Sequence, residues 1–403
     1  MRADEREVVM TPDLIVVGCG FYGATVAERA ASELGLSVLV IDRRDHIGGN
    51  AFSETDPETG IEIHRYGPHL FHTSNEAVWR YLQRFARFTG YRHTVYARHR
   101  GATYPMPINL DTMSRFFGKA MSPDEARQLI SVQIAEPGIA ASGNLEDKAI
   151  SLVGRPLYEA FIRDYTWKQW QTDPRTLPES IITRLPLRFT FENRYFADTY
   201  EGLPESSYTQ LFARMLENPR IAIRLGVDYL ALRHQFQSEV PVIYTGPIDR
   251  FFAGSQGWLR WRTVDFEKEI IDTEDYQGCA VMNFSDRDVR YTRSVEYRHL
   301  YPERRYVSKR TIVVREFPRE AAPSDEPFYP VGATEDREIY SRYRALSAKH
   351  PNVLFGGRLG TYRYLDMHQA IASALKAFEI VLKPWFQNGR TGPLKRGPEG
   401  GQS

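Results

Sequence analysis

The chain has 403 residues, with 52 Lys+Arg against 51 Asp+Glu and a formal net charge of +1, a balance that argues against a general nucleic-acid binder. At 42% hydrophobic and 26% charged residues it reads as a soluble globular chain of two or three domains, at about 150 residues each. Two cysteines, Cys19 and Cys279, exclude a disulfide scaffold and a multi-cysteine zinc site.

The first residues, MRADEREVVMTPD, are charged and lack an apolar core, so no secretory signal is expected. No apolar run approaches the roughly 18 residues of a membrane helix. A cytoplasmic protein with no membrane insertion is expected. Leu14–Val17 is a short apolar run that stops at Gly18. Helical spacing follows over Phe21–Leu34, then a second strand over 37–41 that ends at Asp42. This is β-α-β, the opening of a parallel sheet.

Gly18-Cys19-Gly20-Phe21-Tyr22-Gly23 is G-x-G-x-x-G, directly after a strand and opening a helix. Gly18 suits the tight turn, Gly20 lets backbone approach a pyrophosphate, and Gly23 lets helix pack on strand. The helix N-terminus offers free N–H groups to an anion. Asp42 then ends the second strand, where a carboxylate meets ribose hydroxyls. Arg43-Arg44 and Gly48-Gly49-Asn50 follow. This order resembles the two-dinucleotide-binding flavoproteins, in which a second glycine turn meets the FAD pyrophosphate. No second complete fingerprint is present, so a dedicated NAD domain is not expected.

Capping boxes at 73–76 and 122–125 open amphipathic stretches, and 75–163 reads as mostly helical. Runs at 188–192, 280–284 and 311–315 alternate and read as antiparallel strands. Residues 240–244 form a strand running into Thr245-Gly246, and Val353–Phe355 runs into Gly356-Gly357-Arg358 ahead of a helix over about 366–382. The expected fold class is α/β. A discontinuous Rossmann-like FAD-binding domain (12–75, 203–250 and 340–386) carries a helical insertion (76–163). An antiparallel β-sheet substrate domain (164–202 and 251–339) completes it, with a disordered tail over 387–403.

Further motifs sharpen the reading. They are Tyr66-Gly67-Pro68-His69-Leu70-Phe71-His72-Thr73, Ile150-Ser-Leu-Val-Gly154, Tyr165-Thr-Trp-Lys-Gln-Trp170 and 184–190. Arg194-Tyr195-Phe196, Tyr244-Thr-Gly-Pro247, Tyr291-Thr292-Arg293, Glu326-Pro-Phe-Tyr329-Pro330 and the run 356–369 complete the set. Together the chain resembles the UDP-galactopyranose mutase family of bacterial flavoenzymes, over roughly 12–385.

The resemblance implies interconversion of UDP-galactopyranose and UDP-galactofuranose, an isomerisation in which N5 of reduced FAD attacks the anomeric carbon with no net redox change. It implies an external reductant, NAD(P)H or another, a UDP-galactose partner, a role in cell-wall or polysaccharide biosynthesis, and a homo-oligomer, dimer or larger. Arg184 matches the arginine that clamps the diphosphate once substrate binds, and Arg293 the fixed arginine opposite. Phe161 and Tyr165 match positions that sandwich uracil. Trp170, Tyr195, Tyr329 and Tyr364 match contacts to phosphate or sugar. Asp366 matches an acid near the sugar, Arg262 a substrate-side arginine, and His93 a position held by Asn or His. His69 and His72 match the segment beside the flavin. Arg358 and Met367, with Gly357 and Asp366, belong to the cofactor side, as do Gly49 and Asn50.

Spacing alone leaves plainer roles open. Phe161 and Tyr165, four apart, also read as a core pair, and Asp366 as an N-cap. His69 and His72, three apart, lack a convincing third ligand, so no metal is expected. Pro68, Arg290 and Ser206-Ser207 depart from the family pattern at positions the motifs put near the sugar. A mutase of a related nucleotide sugar such as a deoxyhexose, an FAD-dependent oxidoreductase and a non-catalytic binder are the competing readings.

Overall fold

The computed structural model describes residues 12–135, 143–182, 187–236, 238–390 and 392–394. A five-stranded parallel sheet runs in the order Val353–Phe355, Val242–Tyr244, Leu14–Val17, Val38–Ile41, Ile221–Arg224. Its strands come from three separate stretches of chain, as the discontinuous Rossmann-like reading requires. Leu14, Ile15, Val16, Val40 and Ile41 are fully buried, because a parallel sheet is covered on both faces. Each such side chain contributes about 1.5–3 kcal/mol of burial. Helix Phe21–Leu34 lies on one face beside Met367–Ala377, and it stops at Gly35 in the left-handed region (φ 65°).

A seven-stranded sheet stands apart, in the order Tyr329–Pro330, Trp261–Ile271, Thr311–Glu320, Arg293–Glu296, Val281–Phe284, Val95–His99, Ala102–Met106. All its neighbours are antiparallel except Val281–Phe284 against Val95–His99, which run parallel. The strands Val95–His99 and Ala102–Met106 interrupt the stretch 76–163, which reads as mostly helical. This hairpin extends the sheet edge, while helices Leu110–Phe117, Pro123–Ile134 and Leu145–Val153 follow it.

The strand expected at 188–192 is absent; the segment bends. Arg188 donates to the carbonyls of Glu192, Arg194 and Tyr195, so the loop curls around its own arginine, and Phe191 is left exposed. Helix Met367–Ala377 widens by one residue per turn over Phe378–Leu382 before Lys383–Gln387. The described part of the expected disordered tail is ordered. Trp385 Nε1 donates to Gly392 O at 2.9 Å, and Leu394 is buried with its N–H on Pro351 O at 2.6 Å. Residues 395–403 lie outside the described residues. Among the described residues, no helix is long and apolar enough to cross a membrane.

Candidate active site

The glycine fingerprint folds as a cradle. Gly18 has φ +102°, and a Cβ there would stand 1.9 Å from Thr245 Oγ1, which itself donates to Val17 O at 2.8 Å. A Cβ on Gly23 would meet Gly18 O at 1.9 Å. Asp42 is nearly buried at the end of its strand. One carboxylate oxygen accepts from Cys19 N at 2.7 Å and the other from Arg44 N at 3.0 Å, which fixes the turn against the strand end. Gly20 and Gly49 bring the two glycine turns together. The result is a cleft of about 270 Å³, lined by Phe21, Tyr22, Arg43, Asn50, Gly246, Gly357 and the turns themselves. Space that only glycine leaves open, beside a helix N-terminus and an acidic strand end, fits a flavin dinucleotide. Arg43 and Arg44 both reach Glu326, Arg44 at 2.9 Å, and Arg44 also donates to Asn50 Oδ1 at 2.8 Å.

A second cleft of about 260 Å³ adjoins the first and shares Asn50, His69, Arg358 and Met367 with it. It is polar and aromatic. The rings of Tyr329 and Tyr364 stack with centroids 5.8 Å apart, and the Arg358 guanidinium lies 4.9 Å from the Tyr364 ring. Arg293 enters from the sheet, 3.7 Å from the Glu316 carboxylate and 3.5 Å from the Tyr165 hydroxyl. Burial opposes the charge of Arg293, but Glu316, Tyr165 and Tyr329 outweigh it and hold the guanidinium cationic. Burial pushes Glu316 upward, opposed by Arg293.

Four histidines line this cleft, and His69, His72 and His93 are each held by a different partner. His69 Nδ1 lies 2.8 Å from Gly67 O; a carbonyl only accepts, so Nδ1 carries the proton and Nε2 is a free lone pair. Burial, with Arg358 and Arg44 nearby, lowers its pKa to about 4, against the bond to Gly67. His72 Nδ1 is 2.7 Å from Asp198, and its ring stacks on Phe196 at 3.6 Å. His93 is buried, bonded to the Tyr91 hydroxyl at 3.1 Å, and lowered to about 3 by burial and Arg293. Asp366 opens helix Met367–Ala377, its N–H bonded to Gln369 Oε1 at 2.9 Å. Its carboxylate, His72 and His368 bring ligand-type atoms within 4.8 Å of one another. His72 belongs to this group, whereas His69, three residues earlier and weighed with it in the sequence, does not.

Of the residues singled out from sequence, His69, His72, His93, Tyr195, Arg293, Tyr329, Arg358, Tyr364, Asp366 and Met367 meet around the second cleft. Others stand back from it. Phe161 is buried among Tyr104, Phe116 and His99. Tyr165 touches the cleft through Arg293. Trp170 packs on the core, and Arg262 is buried with Nε on Gln169 O at 3.3 Å, burial lowering it to about 10. Arg184 lies outside the described residues. Ser207 caps helix Tyr208–Met215 and Ser206 O accepts from Arg304 at 2.8 Å, a structural turn. Pro68 does line the cleft. Asp198, Asn283, Glu316 and Glu326, from loops and strands far apart in the chain, join the site without having been singled out from the sequence. Glu326 alone carried a signal, in the motif before Tyr329.

A flavin-type cradle opening on a cationic, tyrosine-lined cleft defines a Rossmann-like flavoenzyme; a profile described as NAD(P)-binding Rossmann-like domain matches residues 16–85. The UDP-galactopyranose mutase profile matches 160–364. A Klebsiella pneumoniae protein named "Probable UDP-galactopyranose mutase" is 41% identical over 370 residues, 92% of this chain and 94% of that protein. An Escherichia coli dTDP-fucopyranose mutase is 38% identical over 374 residues, 92% and 98% of the two chains. The crystal structure of a reduced UDP-galactopyranose mutase superposes with TM-score 0.70 at 15% identity, covering 93% of this chain and 95% of that one, a likeness of fold. The chain belongs to the UDP-galactopyranose mutase family, and it is an isomerase.

Proposed function

We propose that the chain interconverts UDP-galactopyranose and UDP-galactofuranose on FAD with no net redox change. The observation that carries this reading is the junction of the two clefts at Asn50, His69, Arg358 and Met367. A nucleotide sugar in the polar cleft meets the dinucleotide cradle there. Bound, reduced FAD supplies the nucleophile for the anomeric carbon.

The chain's own residues do the rest. Arg293 binds the diphosphate by charge-assisted hydrogen bonds, with Arg184 as its partner from the opposite side. Tyr329 and Tyr364 donate hydroxyl hydrogen bonds without adding charge. His69, neutral, presents Nε2 as an acceptor at the junction, and His72 is oriented by Asp198. Asp366, beside His72, is an acid near the sugar. Tyr165, whose hydroxyl meets Arg293, marks the base end; Phe161 and Trp170 pack in the core, and Arg262 supports the same helix through Gln169 O.

The test is product analysis with UDP-galactofuranose on anaerobically reduced and on oxidised enzyme. Conversion by the reduced form alone is expected; conversion by neither sinks the substrate assignment. The 38% identity to a dTDP-fucopyranose mutase favours a second reading, a dTDP-deoxyhexose substrate, separated by running both nucleotide sugars in competition. The homo-oligomer implied by the resemblance is read by light scattering, and the reductant by supplying NADH and NADPH in turn.

A further inference from the structure

Lys168 is 3% exposed, and its four hydrogen-bond partners are all backbone carbonyls. Nζ donates to Phe284 O at 2.7 Å, Asp286 O at 2.8 Å, Val289 O at 3.0 Å and Tyr291 O at 3.1 Å. An ammonium has three protons, so four carbonyls share them, much as carbonyls replace the water shell of a caged monovalent cation. Burying an ammonium is costly, and a turn between two strands closes elsewhere without one. The cage therefore needs a reason beyond closing the turn.

Its position supplies one. All four carbonyls belong to the end of strand Val281–Phe284 and the turn that joins it to Arg293–Glu296. Asn283 and Arg293 face each other in register across this hairpin, and both line the sugar cleft. Lys168 lies on helix Asp164–Trp170, three residues after Tyr165, whose hydroxyl meets Arg293 Nη2 at 3.5 Å. One helix thus holds the hairpin at two points, its turn through Lys168 and its cleft end through Tyr165. The Arg287 guanidinium, 4.2 Å from the Trp167 ring, adds a third contact on the same helix.

We propose that Lys168 is a positioning residue for nucleotide-sugar binding: its carbonyl-caged ammonium sets the hairpin turn that presents Arg293 to the cleft. This rests on the reading of Arg293 as a diphosphate ligand.

The test uses the full, flavin-loaded chain. Lys168→Ala leaves a carbonyl-lined hole that ammonium or methylammonium fits and tetramethylammonium does not. KM for the nucleotide sugar is expected to rise about tenfold with kcat within about threefold of the parent. Ammonium, and not tetramethylammonium at equal ionic strength, is expected to restore it. In an Arg293→Ala background the same substitution is expected to change KM by less than about twofold, because the group it positions is gone. A parent-like KM, a raised KM that ammonium leaves unchanged, or the full rise persisting without Arg293 each overturns the proposal. Should the alanine variant fail to fold, Lys168→Arg serves. Its planar fork cannot turn one nitrogen to four carbonyls, so a raised KM is expected and a parent-like KM overturns the proposal. If the parent chain turns over neither UDP- nor dTDP-sugars, the mutase reading has failed separately. UDP affinity of the same variants, read by tryptophan fluorescence, then decides the role of Lys168: weaker binding supports it and parent-like binding overturns it.

Discussion

Gly20 and Gly49, from two turns of different strands, approach so closely that a Cβ on Gly49 would stand 3.0 Å from the Gly20 Cα. Gly49 also has φ +58°, where a non-glycine residue costs about 1–2 kcal/mol. Gly49→Ala therefore pushes the two turns apart in the cradle. The purified variant is expected to carry little flavin, seen as loss of its visible absorbance at equal protein. Parent-like flavin content would show that the turns do not bear on the cofactor.

Arg293 and Glu316 form the charged pair of the polar cleft. Arg293→Ala removes the group proposed to bind the diphosphate and strands a buried carboxylate. A fall in kcat/KM on the order of 10²-fold is expected, as for truncating one partner of a buried charge pair. Steady-state kinetics with reduced enzyme check it. A change below about threefold would place the diphosphate elsewhere.

His93 is buried and its pKa falls from 6.5 to about 3. Between those values the unfolded chain binds a proton that the folded chain does not, so stability rises with pH there and is lost as pH falls from 6.5 toward 3. The slope from this one group is at most about 1.4 kcal/mol per pH unit. His64, fully buried and also lowered by burial, adds in the same direction. Denaturant unfolding across this range is expected to give a shallower pH dependence for His93→Asn than for the parent. Equal slopes would refute the neutral buried imidazole.

The proton on His69 Nδ1 is held by Gly67 O. Removing the ring by His69→Ala is expected to cost turnover while flavin stays bound, because the cradle is built from glycine turns and Asp42. With the ring present and its pKa near 4, His69 contributes no inflection to the pH–rate profile between about pH 5.5 and 8. An inflection in that window that vanishes in His69→Ala would contradict the assignment.

The cradle was legible in sequence because its physics is local. Glycine spacing, a strand end at Asp42 and a helix start sit within one stretch of chain. Thr245 and Gly357 followed from the same strand-turn pattern. Strand Trp261–Ile271 was not read: its exposed half, Asp265 to Glu269, carries charges that hide the alternation. Residues 188–192 misled in the other direction: Phe189 packs on the core but Phe191 is exposed, and the loop curls around Arg188 instead of pairing. The polar cleft was legible only through family motifs. Its unread members Glu316 and Asn283, with Asp198 bonded to His72, come together from separate strands and loops, and nothing in their own neighbourhoods marks them. Lys168 stood inside a quoted motif, yet only the convergence of four carbonyls gives it a role.

The proposed isomerisation on a reduced flavin consumes no net electrons. Enzyme reduced anaerobically with a measured, limiting amount of dithionite, then given excess UDP-galactofuranose, tests it most directly. Many moles of UDP-galactopyranose per mole of electron pairs, with the flavin still reduced at the end, is the predicted result. Product capped at one per electron pair, with the flavin reoxidised in step, would contradict the account and make the chain an oxidoreductase.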